Sequence, residues 1–212
     1  MGTITGIRDT KDRQKRVKIF LDGKPAFILK AELALKEKLE IGRELEASEI
    51  ERLIRSDQNQ RCLDTARRYL SYRPRSEFEL RERLRQRGFN VEIIEEVAGK
   101  LKAQGLIDDA AFARFWADNR ETFNPRSRRL TILELRQKGV DKELIDETVS
   151  SFNEEENAYK VAVKKSRSLA AEDYDTFRRR LSGFLSRRGF SYEIVSRTVE
   201  RSWQELSTLK SK

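Results

Sequence analysis

One eleven-residue pattern occurs three times in this chain of 212 residues, at 84–94, 135–145 and 185–195. Its glycines, Gly88, Gly139 and Gly189, stand 51 and then 50 residues apart. A fixed period near 50 residues marks tandem supersecondary units. Each position in the pattern has a physical job. A glycine closes a helix by taking the left-handed conformation, and the residue four before it then meets the residue just after it. Those pairs are Leu84 with Phe89, Leu135 with Val140 and Leu185 with Phe190. Two residues past each glycine stands Asn90, Asp141 or Ser191, residue types that accept from the first free N–H groups of a helix. Two further on comes Glu92, Glu143 or Glu193, where the helix dipole favours an anion. The pattern therefore predicts helix, tight glycine turn, helix, three times over.

The rest of the chain falls into place around these turns. Val17 to Leu21 is β-rich, Asp22-Gly23 is a hairpin signal, and residues 26–29 read as the returning strand. Residues 2–7 offer a third strand, and the charged run at 11–18 reads as an exposed edge or loop. A short helix is expected near 30–38, with Gly42 breaking the chain after it. Ser48 with Glu51 and Ser76 with Glu79 have capping-box spacing. The polar stretch 56–59 reads as a joint between two helices, and Pro74 ends the second of them. Glu77 with Arg81 and Glu79 with Arg83 have the spacing of helical ion pairs, whereas Arg73, Arg75, Arg85 and Arg87 have no such local partner. Leu80 and Leu84, then Ile93, Ile94, Val97 and Leu101, recur at core spacing. Phe112, Ala113, Phe115 and Trp116 open the second unit. Phe177, Leu181 and Leu185 line the third, where Gly183 reads as an interruption of the helix. The expected fold is mostly α: tandem three-helix repeats in an elongated array, after a small N-terminal β-containing segment. The boundaries read as 1–57 for the β-hairpin and short helices, 58–106, 107–153 and 154–206 for the repeats, and 207–212 for a frayed tail. One such repeat buries little core alone, and stacking on neighbours is the usual remedy.

Composition excludes several kinds of chemistry. There is no histidine and one cysteine, Cys62, so His-based triads, His metal sites, a Cys-rich zinc site and an internal disulfide all drop out. No phosphate-cradling glycine loop appears. No cofactor, metal or catalytic residue is expected. No apolar run nears the ~18 residues of a membrane span, and no signal peptide is visible. A cytoplasmic, reducing location is the expectation. Asp108-Asp109 is the one acidic pair in a suggestive place. It reads as a helix cap before an apolar helix, with a hydrolase as the remote alternative. Cys62 sits on an apolar helix face and reads as core.

The formal net charge is +9, unevenly spread, with residues 107–155 net −3. A basic surplus points to a polyanionic or acidic partner. Eight arginines fall within residues 67–87, and Arg67, Arg68, Arg73, Arg75, Arg81 and Arg85 are taken from them as candidate partner- or DNA-binding residues. Arg126, Arg128 and Arg129 form a second cluster. Arg178, Arg179, Arg180, Arg187 and Arg188 form a third. The planar guanidinium fork suits phosphates and carboxylates alike. A solvated, salt-bridged helix face is the plainer reading of any one of them.

The combined pattern R-x-R-S-x-x-E-L over 73–80, R-G-F at 87–89 and G-L-I-D-D-x-x-F-A over 105–113 resembles the RecX family. The likeness covers residues 62–152 well and 156–206 more loosely. It implies a bacterial regulator of the RecA recombinase, acting in recombination and DNA repair within the SOS response. Such proteins are built of tandem three-helix units and are not enzymes. They bind along the groove of the RecA–DNA filament and usually inhibit its ATPase, strand exchange and coprotease activities. The implied partners are the RecA filament and single- or double-stranded DNA, with no membrane and the chain acting as a monomer. A stand-alone nucleic-acid-binding protein using basic helix-turn-helix-like units is the alternative.

Overall fold

The N-terminal residues alternate apolar and polar side chains and so form a half-buried sheet. The structure, a computed structural model, describes residues 1–10 and 15–210, with side chains through residue 208. Strands β1 (Gly2–Asp9), β2 (Arg16–Leu21), β3 (Lys24–Lys30) and β4 (Glu44–Leu45) form an antiparallel sheet in the order β3-β2-β1-β4. Val17 pairs with Leu29 and Ile19 with Phe27, so all four enter one core with Ile4, Leu45 and Leu53. Asp22 and Gly23 both take positive φ, 49° and 79°, as a tight hairpin of this twist needs. The charged run expected at 11–18 lies outside the described residues at 11–14, and from Arg16 onward it is strand. Two-residue β4 was not foreseen, being too short to carry a period.

Helix α1 (Ala31–Lys36) follows, then α2 (Ala47–Leu70), which corrects two expectations. Ser48 does not cap α2. The helix starts two residues earlier, with Glu46 at the cap position and no side-chain capping bond, directly after buried Leu45. Residues 56–59 are not a joint but the middle of a continuous helix. Asp57 is polar there because it faces the sheet: it is 2% exposed and accepts from Arg16 Nη2 at 2.9 Å and from the Lys30 N–H at 2.8 Å. The polar residue that looked like a loop signal ties β2 and β3 to α2. Cys62 is buried, and burial pushes its thiol up to about 11.

Beyond α2 come α3 (Glu77–Gln86), α4 (Val91–Ala103), α5 (Asp109–Phe123), α6 (Arg128–Gln137), α7 (Lys142–Ser150), α8 (Glu154–Arg167), α9 (Tyr174–Ser186) and α10 (Tyr192–Lys210). The glycine turns form as the pattern predicts. In the first, the Phe89 N–H donates to the Leu84 carbonyl at 3.3 Å and the Gly88 N–H to the Arg85 carbonyl at 2.9 Å. Residues 135–140 repeat both bonds. Leu84, Leu135 and Leu185 are fully buried. Asn90 and Ser191 accept the expected capping bonds, but Asp141 occupies its cap position without one. Gly183 does not interrupt α9, which runs through it with Arg187 lying alongside. Helix α10 runs to Lys210, past residue 207 where a frayed tail was expected, and 211–212 lie outside the described residues.

By contacts the chain divides into two units, residues 1–72 with 81–104, and residues 73–80 with 105–212. The division does not follow the sequence repeats, because the first turn of α3 packs with the second repeat. Within the second unit each repeat keeps its own core. One is built on Phe112, Leu135, Ile145 and Val149, the other on Phe177, Leu181, Leu185 and Val199.

Candidate partner interface

Charged side chains on a helix are either spent on internal carboxylates or left for a partner, and the structure sorts the arginines accordingly. Glu79 is a hub. It accepts from Arg73 through both oxygens at 3.1 Å, accepts from Lys138, and has Arg75 at 4.0 Å. Its carboxylate is 13% exposed. Burial acts to raise the Glu79 carboxyl, but the hydrogen bonds and charges of Arg73 and Lys138 outweigh it and hold the group below the ordinary glutamate value. Glu134 is a second hub, accepting from Trp116 Nε1 at 2.8 Å, Arg120 Nε at 2.6 Å and Arg126 at 2.6 Å. Trp116 lies against the two hubs, its ring 4.3 Å from Lys138 and 4.6 Å from Arg120. Such cation–π contacts strengthen where water is excluded.

Four arginines expected to lack local partners therefore include three that have them: Arg73 and Arg75 at Glu79, and Arg85 at Glu82. Arg81 pairs with Glu95, and Arg180 with Glu172. The helical pair expected between Glu79 and Arg83 does not form, because Glu79 turns to Arg73 and Lys138 while Arg83 lies over Tyr69. Arg188 is half-buried with its guanidinium 4.1 Å from the Phe184 ring. The remainder are exposed and form no salt bridge among the described residues: Arg67, Arg68, Arg87, Arg128, Arg129, Arg178, Arg179 and Arg187. Arg68 and Arg87 share a shallow groove with Lys30, Arg61, Asp64 and Phe89. The hubs themselves went unnoticed in the sequence. The sequence carries no local signal for them, since Glu79 stands nine residues before Gly88 and Lys138 one residue before Gly139.

The acidic pair does capping work. Asp108 accepts from the Ala111 N–H at 2.9 Å, and Asp109 reaches the first N–H of α3, that of Glu77, at 2.8 Å. Asp109→Ala should lower stability by ~0.5–2 kcal/mol, the range for a lost cap, measured by urea unfolding. Adding divalent metal should not change the size of that loss. Among the described residues no three His, Cys, Asp or Glu side chains gather as a metal site. Nor is any described helix long and apolar enough to cross a membrane.

This architecture of three turn-linked helical repeats has known counterparts. Family models described as the first, second and third three-helix domains of RecX match residues 62–101, 108–149 and 153–199. The regulatory protein RecX of Bacillus velezensis is 30% identical over 97% of this chain and 79% of its own length. That of Bacillus licheniformis is 31% identical over 95% and 78%. A crystal structure of regulatory protein RecX superposes with a TM-score of 0.63 at 27% identity, covering 94% of this chain and all of its own. With all three repeats matched in order, this chain belongs to the RecX family of regulatory proteins.

Proposed function

We propose that this protein regulates the RecA recombinase by binding the RecA–DNA filament, and that it inhibits the filament's ATPase, strand exchange and coprotease activities. The observation that carries the reading is the match of all three RecX repeats in order along the chain. The absence of any histidine or phosphate-cradling loop in the sequence agrees with a regulator rather than a catalyst. The partner-contacting residues in this reading are the exposed arginines that form no salt bridge among the described residues: Arg67, Arg68, Arg128, Arg129, Arg178, Arg179 and Arg187. Arg73, Arg75, Arg81, Arg85, Arg126 and Arg180 act mainly by holding the helices that present them.

The test is the single-stranded-DNA-dependent ATPase of RecA titrated with this protein, with free-DNA binding measured in the same buffer. Inhibition should appear well below the concentration that coats naked DNA. Unchanged ATPase and filament length at stoichiometric protein would refute the proposal. The exposed arginines favour one second reading, in which the chain binds nucleic acid on its own. Inhibition only where free DNA is saturated, with affinity falling steeply as salt rises, is the result that reading requires.

A further inference from the structure

The two joints between successive repeats are built on the same plan but differ in charge. At the first joint the turn at Gly139 packs on the start of α3, where a Cβ on Gly139 would stand 2.5 Å from Phe78 Cβ. At the second the turn at Gly189 packs on the start of α6, against Ser127 and Leu130, and the Ser127 N–H donates to the Arg188 carbonyl at 3.0 Å. Counting from the glycines, Arg126 stands where Arg75 does, and Arg188 stands where Lys138 does. The position of Glu79 is taken by Leu130. The first joint thus holds Arg73, Arg75 and Lys138 around an internal carboxylate. The second keeps counterparts of Arg75 and Lys138, has Asn124 where Arg73 stands, adds Arg187, and has lost the carboxylate at the Glu79 position.

What remains near the second joint compensates Arg126 and leaves Arg187 and Arg188 without a carboxylate among the described residues. Glu134 pairs with Arg126 but is shared with Arg120 and Trp116. Arg187 has no ion pair among the described residues, and Arg188 Nε is shielded from water without a hydrogen-bond partner. Burial first, then the charges of Arg126 and Arg187, lower the affinity of Arg188 for its proton. Like charges held together at a partly desolvated joint favour a bound anion. The flanking Leu130 and Phe184 make the rim half apolar. That suits a carboxylate carried on a polypeptide better than a fully hydrated phosphate strand.

We propose that Arg187 and Arg188, beside the Glu134-paired Arg126, form a recognition site for an aspartate or glutamate side chain of a partner protein, which takes the place that Glu79 fills at the first joint. The site rests on the reading that this chain acts through a protein partner, and it deepens that reading by naming the contact. The test uses the full chain alone, without RecA, so that a failure of the filament reading leaves it intact. Fluorescence anisotropy of a labelled hexaglutamate peptide gives the affinity. Leu130→Glu, which removes no arginine, should fill the site from within and weaken binding about tenfold or more, as losing a desolvated charge contact does. The double substitution Arg187→Gln, Arg188→Gln should do the same, and decides the matter if Leu130→Glu does not fold. Hexaglutamate binding unchanged in the folded variants overturns the proposal. So does a loss confined to binding of a single-stranded oligothymidylate, which would make the site a phosphate reader.

Discussion

Gly139→Ala and Gly189→Ala should each destabilise the protein by about 2–5 kcal/mol, whereas Gly88→Ala should cost only about 1–2 kcal/mol. Gly88, Gly139 and Gly189 all have positive φ, 82°, 72° and 85° respectively, and share the penalty for placing a Cβ in the left-handed conformation. The difference is what the new methyl group meets. At Gly88 nothing lies within 4 Å. At Gly139 the Phe78 Cβ would be 2.5 Å away, and at Gly189 the Ser127 Oγ and Leu130 Cγ would be 2.5 and 2.6 Å away. Phe78 Cβ is fixed to its backbone, and Ser127 Oγ is held by the Leu130 N–H it accepts from at 3.2 Å, so neither swings aside freely and the joint must open. Urea unfolding midpoints of the three variants measure the ranking directly. Equal losses at all three sites would show that the turns matter only as turns.

Removing the Glu79 carboxylate should be the second large loss, about 2–4 kcal/mol for Glu79→Ala. Breaking a buried ion pair from one side costs ~3–5 kcal/mol because the partner charge stays behind uncompensated. Here the partners are themselves part-exposed, with Arg73 30% and Lys138 21% accessible, so water returns some of it. The same carboxylate sets an acid limb. Its folded-state pKa lies below the ordinary glutamate value, so its contribution is full above about pH 4.3 and is lost as pH falls through the folded pKa. Glu79→Gln should therefore unfold at lower urea near neutrality, yet converge toward the parent protein as the pH is lowered. A constant gap from pH 7 down to pH 3 would assign the loss to packing rather than to charge.

The repeats, their glycine turns and the buried leucines were legible in the sequence because each depends on residues within a dozen positions. Leu135, Gly139 and Val140 specify a local hydrogen-bond pattern whatever surrounds them. The capping role of Asp108 was legible for the same reason. The Asp57 contact was misread because its meaning is set by Arg16 and Lys30, far away in the chain. A polar residue mid-helix looks like a break until the sheet that buries it is known.

The arginines divide in the same way. Their clustering was a matter of sequence, but whether a given one is spent or free was not. Arg85 finds its carboxylate three residues away on its own helix, and the sequence alone could have paired it. Arg73 and Lys138 meet Glu79 only because Gly139 lets the second repeat approach the start of α3. Arg126, Arg187 and Arg188 come together only because Gly189 does the same for the third. Sequence by itself determined three helical repeats and a basic chain, through short-range backbone and side-chain rules. Tertiary structure decided which charges cancel, because Coulomb energies depend on through-space distance and burial, and neither follows from spacing along the chain.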